Sequence, residues 1–197
     1  MNRIDGKVAV ITGGTQGLGA AIARLFSEAG AAGIAIVGRG EEKGQKVAND
    51  IESTTGVPTK MITADLGNIA DVRRVISEAD ERFGRIDILV NAAGLTDRGN
   101  FLNTSPELFD QIFAVNTRAP FFLMQDAAKV MVRERLEGRI INIGSMSQLA
   151  GQPFLAPYSA SKGALATLTR NGACLLYSSP SPRDRQKARI LSSACNR

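Results

Sequence analysis

Residues 7–19 read KVAVITGGTQGLG, an apolar, β-branched run that breaks after Thr12 into glycines at 13, 14, 17 and 19. Residues 7–12 are apolar on both faces of an extended chain. That suits a strand in the middle of a parallel sheet, which helices cover on each side. Residues 17–29 then place Leu18, Ile22, Leu25 and Phe26 at helical spacing, and Gly30 closes the helix. A strand that turns through glycines into a helix gathers free backbone N–H groups at the positive end of the helix dipole. Such a turn suits a pyrophosphate, with Gly13, Thr15, Gln16, Gly17, Leu18 and Gly19 as its contact set. The spacing is G-x-x-x-G-x-G rather than G-x-G-x-x-G, and packing alone also produces glycine-rich turns.

Outward from this turn the alternation continues. Strands are expected at 33–37, 59–63, 86–90 and 139–143, and helices at 41–55, 69–83 and 158–170. Ser105-Pro106 reads as an N-cap and first helical residue, opening a helix that runs, kinked at Pro120, to Leu136. Strand-helix alternation with short linkers is the pattern of a doubly wound parallel α/β sheet in one domain, residues 1–170.

The 197 residues are 44% hydrophobic and 22% charged, which excludes a disordered chain. No apolar run approaches the ~20 residues of a membrane span, and the N-terminus holds no signal-peptide core, so a soluble cytoplasmic protein without a membrane partner is expected. The absence of histidine removes His-based triads and most zinc sites, and no metal site is expected. Both cysteines, Cys174 and Cys195, lie near the C-terminus, so no disulfide framework supports the body. Of the net charge of +5, four charges come from residues 171–197, where Arg183, Arg185, Lys187, Arg189 and Arg197 face Asp184 alone. The body is near neutral, which argues against a nucleic-acid surface.

Residues 171–197 carry a Ser/Pro cluster and a charge run, with no clean strand pattern. One reading is a disordered basic extension. The stretch CLLYSSPSPRD (174–184) also resembles the translation of a transposase sequencing adapter, and the favoured expectation is an irregular, non-native tail.

At the end of the second strand, where an acid would bind the 2′-hydroxyl of NAD, stands Arg39. A guanidinium there suits the 2′-phosphate of NADP through charge-assisted bonds; an ordinary solvated arginine near Glu41 and Glu42 is the alternative. NADP is therefore preferred over NAD. Tyr158 and Lys162, in YSASK, stand four apart and share a helix face. An ammonium beside a phenol favours the phenolate, and the phenol could then exchange a proton with a carbonyl oxygen. Ser145 follows the fifth strand directly, and its hydroxyl could donate to the same oxygen; a turn residue in GSMS is the bland reading.

Together TGGTQGLG, NAAG (91–94), Asn116 in VNTRAP, Ser145 and YSASK resemble, in order and spacing, the short-chain dehydrogenase/reductase family over residues 5–170. The resemblance implies a Rossmann fold of strand order 3-2-1-4-5 and NAD(P)-dependent oxidoreduction of a small-molecule alcohol/carbonyl pair. It makes Tyr158 the acid/base and Ser145 the substrate-positioning hydroxyl. It gives Lys162 the tyrosine's pKa and the nicotinamide ribose, and Asn116 a water in the proton relay. Asp65 and Leu66 fall near the adenine, and Asn91, Ala92, Ala93 and Gly94 pass the cofactor. Singly, Asp65 also reads as a helix cap and Asn116 as a satisfied helix amide. Family members usually pair through the helices after strands four and five, which implies a homodimer or homotetramer.

The family's sixth strand, Pro-Gly turn, substrate loop and seventh strand have no recognisable counterpart in residues 171–197. The expectation is a chain cut short, with an unprotected fifth strand, low stability and little activity. A catalytically silent redox sensor on the same fold, or an inactive fragment, is the competing function; a nucleotide-sugar epimerase, whose glycine spacing differs, ranks behind both. The loops 95–103 and 146–157 are expected to line the substrate pocket, with Asp97 and Arg98 hinting at a polar ligand.

Overall fold

β1 (Val8–Thr12) is buried along its whole length. Its alternate residues feed two separate cores, Ala9 and Ile11 one and Val10 the other. The computed structural model describes residues 4–97, 99–150, 154–177 and 188–192. In it β1 pairs in parallel with β2 (Gly33–Gly38) on one side and β4 (Ile88–Asn91) on the other. β3 (Thr59–Thr63) lies beyond β2, and β5 (Gly138–Asn142) beyond β4. The order 3-2-1-4-5 expected from the sequence is therefore present. Progress along the sheet reverses between β1 and β4, and a crevice opens there at the carboxyl ends of the strands.

Helices α1 (Gly17–Glu28) and α2 (Glu41–Thr55) cover one face, setting Ala20, Ala23, Val47 and Ile51 on Ile11, Ile34 and Ile36. On the other face, α3 (Ile69–Phe83) brings Val72, Val75 and Ile76 onto Val10, Val37 and Ile62. Period-two strands between two period-3.6 helical stripes account for both layers. β4 starts at Ile88 rather than Ile86 because Asp87 has another task. Its carboxylate, 1% exposed, accepts from Val8 N at 2.9 Å and from Arg85 at 2.7 and 2.8 Å, with Lys7 at 3.3 Å. Burial pushes this carboxyl up, but those bonds and the two cations outweigh it and hold the group below its ordinary value.

Two expectations need correction. The helix opening at Ser105, whose Oγ accepts from Leu108 N at 3.2 Å, is not a rod kinked at Pro120. α4 (Pro106–Phe113) passes into a π-helical turn, Ala114–Arg118, and then α5 (Ala119–Arg133). Pro120 has no N–H to give the carbonyl four residues back, that of Asn116, so the α-helical ladder is already interrupted and a wide turn absorbs the break. The tail also departs from an irregular run. α6 (Ala156–Tyr177) continues past residue 170, and β6 (Ala188–Ser192) pairs in parallel with β5, from Gly138↔Ala188 to Asn142↔Ser192. β5 is therefore not an open edge, and the order is 3-2-1-4-5-6. The short ARILS run was masked by the charges before it, whereas α6 supplies the crossover that a parallel partner requires. Arg98, the Ser/Pro cluster at 178–182 and Cys195 lie outside the described residues. Among the described residues no helix is long and apolar enough to cross a membrane.

Candidate functional site

The glycine turn is shaped by close approach. Gly13 has φ +70°, and a Cβ on it would sit 2.9 Å from Ala93 N, so β1 ends in contact with the segment after β4. A Cβ on Gly19 would collide with the Gly13 carbonyl, which locks the first turn of α1 against the end of β1. The Thr12 hydroxyl ties the same junction by accepting from Ala92 N at 3.1 Å and Ala93 N at 3.2 Å. No side chain caps α1 at Gln16, and Gly17, Leu18 and Gly19 of its first turn line the crevice. Asn68 and Ser105, by contrast, cap α3 and α4 with their own oxygens.

A cleft of about 290 Å³ runs from this turn across the carboxyl ends of the strands. Gly13, Thr15, Gln16, Gly17, Leu18 and Gly19 form its floor; Arg39 stands at the end of β2, and Asp65 and Leu66 after β3. Ala92, Ala93 and Gly94 close it after β4, where Leu95, Gln111 and Val115 also join. Asp65 is not the cap of α3. Its carboxylate accepts from Gly67 N at 2.9 Å, and Asn68 does the capping. Asn91, by contrast, lies beneath the cleft at 1% exposure, where its amide donates to Asn142 Oδ1 at 2.8 Å. Asn142 Nδ2 continues this chain to Thr169 Oγ1 at 2.9 Å, so Asn91 joins β4, β5 and α6 from below.

Gly94 connects the cleft to the second cluster. A Cβ on it would lie 3.7 Å from both Asn116 Oδ1 and Lys162 Nζ. Lys162 is 4% exposed; its ammonium donates to the Ile143 carbonyl at 2.8 Å and stands 5.9 Å from the centre of the Tyr158 ring. Burial pushes the Lys162 ammonium below the usual lysine range. Asn116, fully buried on the π-helical turn, accepts from Leu95 N and donates to Leu95 O, each at 2.8 Å. It also donates to Ser161 Oγ at 3.0 Å, and Ser161 in turn donates to the Tyr158 carbonyl at 2.7 Å. The wide turn thus holds the loop after β4 and the first turns of α6 together.

Ser145 follows β5 two residues after Ile143, the carbonyl that anchors Lys162, so one short segment places both groups at the same lip of the sheet. It caps a single 3-10 turn, Met146–Gln148, accepting from Ser147 N at 3.2 Å. Leu155, at φ +69°, is a non-glycine residue in the left-handed region, and its N–H donates to the Gly99 carbonyl at 3.0 Å. That bond fastens the loop carrying Asp97 to the entrance of α6. Sequence reading missed Thr12, Ser161 and Ser147; only Thr12, adjoining the glycines, carried a visible signal.

A second cavity, about 660 Å³, lies between α5 and α6 and is lined by Phe121, Met124, Val132, Ile140 and Leu168 among others. It is larger, but none of the titratable or hydroxyl groups above borders it.

Residues 7–179 match the family model for short chain dehydrogenases. The chain is 38% identical over 169 residues to a versicolorin reductase of Emericella nidulans, covering 85% of this chain and 62% of that protein. Against an uncharacterised oxidoreductase of Thermotoga maritima it is 40% identical over 167 residues, 85% of this chain and 64% of the other. The chain thus spans a little under two thirds of the length of these curated relatives. The crystal structure of a metagenomic short-chain oxidoreductase in complex with NADP superposes with a TM-score of 0.85 at 31% identity, covering 95% of this chain and 81% of that one. Motif spacing, strand order, and a match running from the first strand through the last helix agree: the chain belongs to the short-chain dehydrogenase family.

Proposed function

We propose that the protein is an NADP-preferring oxidoreductase that moves a hydride between the cofactor and a small alcohol or carbonyl compound. The observation that carries this is Gly94, which borders the cleft and also sits against Asn116 and Lys162. A dinucleotide whose pyrophosphate rests on the glycine turn would bring its far end to the tyrosine-lysine pair. The cradle fits such a group, since side chains on Gly13 or Gly19 would collide with the backbone that shapes it. The nicotinamide, when bound, supplies or accepts the hydride. Tyr158 gives its hydroxyl proton to the carbonyl oxygen during reduction and takes it back during oxidation. Lys162 keeps a positive charge near that ring, and Ser145 donates a hydrogen bond to the same oxygen as charge develops there. Asn116 holds the surrounding backbone, and the carbonyl that Pro120 leaves free of an i+4 bond can accept from a water in the proton path.

Arg39 at the adenosine end of the cleft supports NADP over NAD. Its replacement by Ala should weaken NADPH binding by about 10- to 100-fold and leave NADH binding unchanged, the size expected for one or two charge-assisted bonds. The apolar groove between α5 and α6, with Phe121 and Val132 exposed, supports self-association through these helices to a homodimer or homotetramer. We place the enzyme in the cytoplasm, in keeping with a soluble nucleotide cofactor. Tyr158→Phe tests the whole reading: turnover should disappear while NADPH binds with the wild-type Kd in titration calorimetry, a readout that does not rest on the two tyrosines of a chain without tryptophan. A catalytically silent sensor would respond to NADPH identically with either residue and turn over with neither.

A further inference from the structure

We infer that Ser147 is a positioning residue that orients the hydroxyl of Ser145. This rests on the reductase reading above, in which Ser145 must donate to the substrate oxygen. The two Oγ atoms lie 2.8 Å apart, and Ser147 is 6% exposed. A serine oxygen has two lone pairs and one proton. One lone pair of Ser145 already accepts the Ser147 N–H at 3.2 Å, an ordinary consequence of capping the 3-10 turn. The hydroxyl-hydroxyl contact is not needed for that cap, so it has another role. Each hydroxyl keeps its own proton, but only one of the two protons can lie between the oxygens, so the pair has two arrangements. When Ser145 donates to Ser147, its proton points away from an incoming carbonyl. When Ser147 donates, both Ser145 lone pairs are occupied and its own O–H is left to act as a donor.

Negative charge growing on the substrate oxygen selects the second arrangement, a chain running from Ser147 through Ser145 to the substrate. A hydroxyl that accepts a bond also becomes a better donor, so the chain strengthens as charge develops. The benefit therefore falls on the chemical step and not on cofactor capture. Ser147 touches no reacting atom; it acts through Ser145.

The experiment is a double-mutant cycle on the full chain, using NADPH with 9,10-phenanthrenequinone as the carbonyl probe and following NADPH absorbance, with single-turnover conditions for the slow variants. Ser147→Ala should lower kcat by about tenfold, the scale of one hydrogen bond to a developing charge, with KM for NADPH and thermal midpoint unchanged. Ser147→Thr, which keeps the hydroxyl, should restore most of that loss. In a Ser145→Ala background, Ser147→Ala should cost nothing further. An unchanged kcat in Ser147→Ala overturns the inference, as does an equal loss in both backgrounds, which would mean that Ser147 serves the loop. Tyr158→Phe separates the two claims. A Tyr158→Phe variant that turns over at the wild-type rate, or a wild-type chain that does not turn over, removes the reductase reading and this inference with it. A dead Tyr158→Phe beside a fully active Ser147→Ala removes the positioning role alone.

Discussion

Asn116→Ala probes the joint on which the site is assembled. The amide makes three bonds of 2.8 to 3.0 Å, two to the Leu95 backbone and one to Ser161, from a position of zero exposure. Truncation leaves the Leu95 N–H and C=O without those partners and opens a small cavity inside the π-helical turn. At about 1 kcal/mol for each part-buried backbone group, and as much again for the lost amide packing, the fold should lose roughly 2–4 kcal/mol. For a domain of this size each kcal/mol moves the melting temperature by about 2–4 °C, so Tm should fall by about 5–15 °C. Circular dichroism melts with and without NADPH give that number. Because Ser161 bonds the Tyr158 carbonyl, the NADPH-dependent turnover of the same variant should fall as well. A Tm within about 2 °C of wild type, together with wild-type turnover, would refute the view that this amide holds the two halves of the site.

Three further outcomes are expected. Gly13→Ala, which combines a left-handed φ with a Cβ 2.9 Å from Ala93 N, should cost about 2–5 kcal/mol and abolish NADPH binding in a titration calorimetry experiment. Asp87 has a folded pKa below its unfolded one, so the unfolded chain takes up the proton first. Its stabilising contribution is present above about pH 4 and is lost as pH falls through the folded value. Asp87→Asn should therefore be less stable near neutrality and show a shallower acid limb in urea melts from pH 6 downward. A chain ended after Tyr177 removes β6 and leaves the outer side of β5 unpaired, so size-exclusion chromatography should show aggregation that the 197-residue chain does not.

The fold was largely legible because β1 and the turn after it combine two strong local signals, an apolar run buried on both faces and a cluster of glycines where the strand must turn tightly into a helix. The stop of α1 was legible for the same local reason, since Gly30 takes a positive φ of 91°; Gly56 and Gly84 take the left-handed conformation after α2 and α3 in the same way. Most residues that line the cleft could be placed because they follow the carboxyl ends of β1 to β4, whereas Gln111 on α4 and Val115 on the π-helical turn gave no such signal. What stayed hidden is non-local. Asn116 meets Ser161 across 45 positions and Asn91 meets Asn142 across 51, and neither spacing leaves a trace in periodicity. The π-helical turn was invisible because Pro120 signals a break without saying how the chain absorbs it. β6 was hidden by its charged flank, since a short edge strand draws its stability from pairing with β5 and not from its own composition.

The wide turn at Ala114–Arg118 also sets the angular phase of everything after it. Each residue advances an α-helix by about 100°, so excising one residue there would rotate the stripe of α5 that carries Leu123, Ala127 and Met131 a quarter-turn or more away from the sheet. Length changes in this part of the chain are therefore tolerated only before α4 or after α5. The turn that holds Asn116 doubles as the gear tooth that keeps the second half of the molecule in mesh with the first.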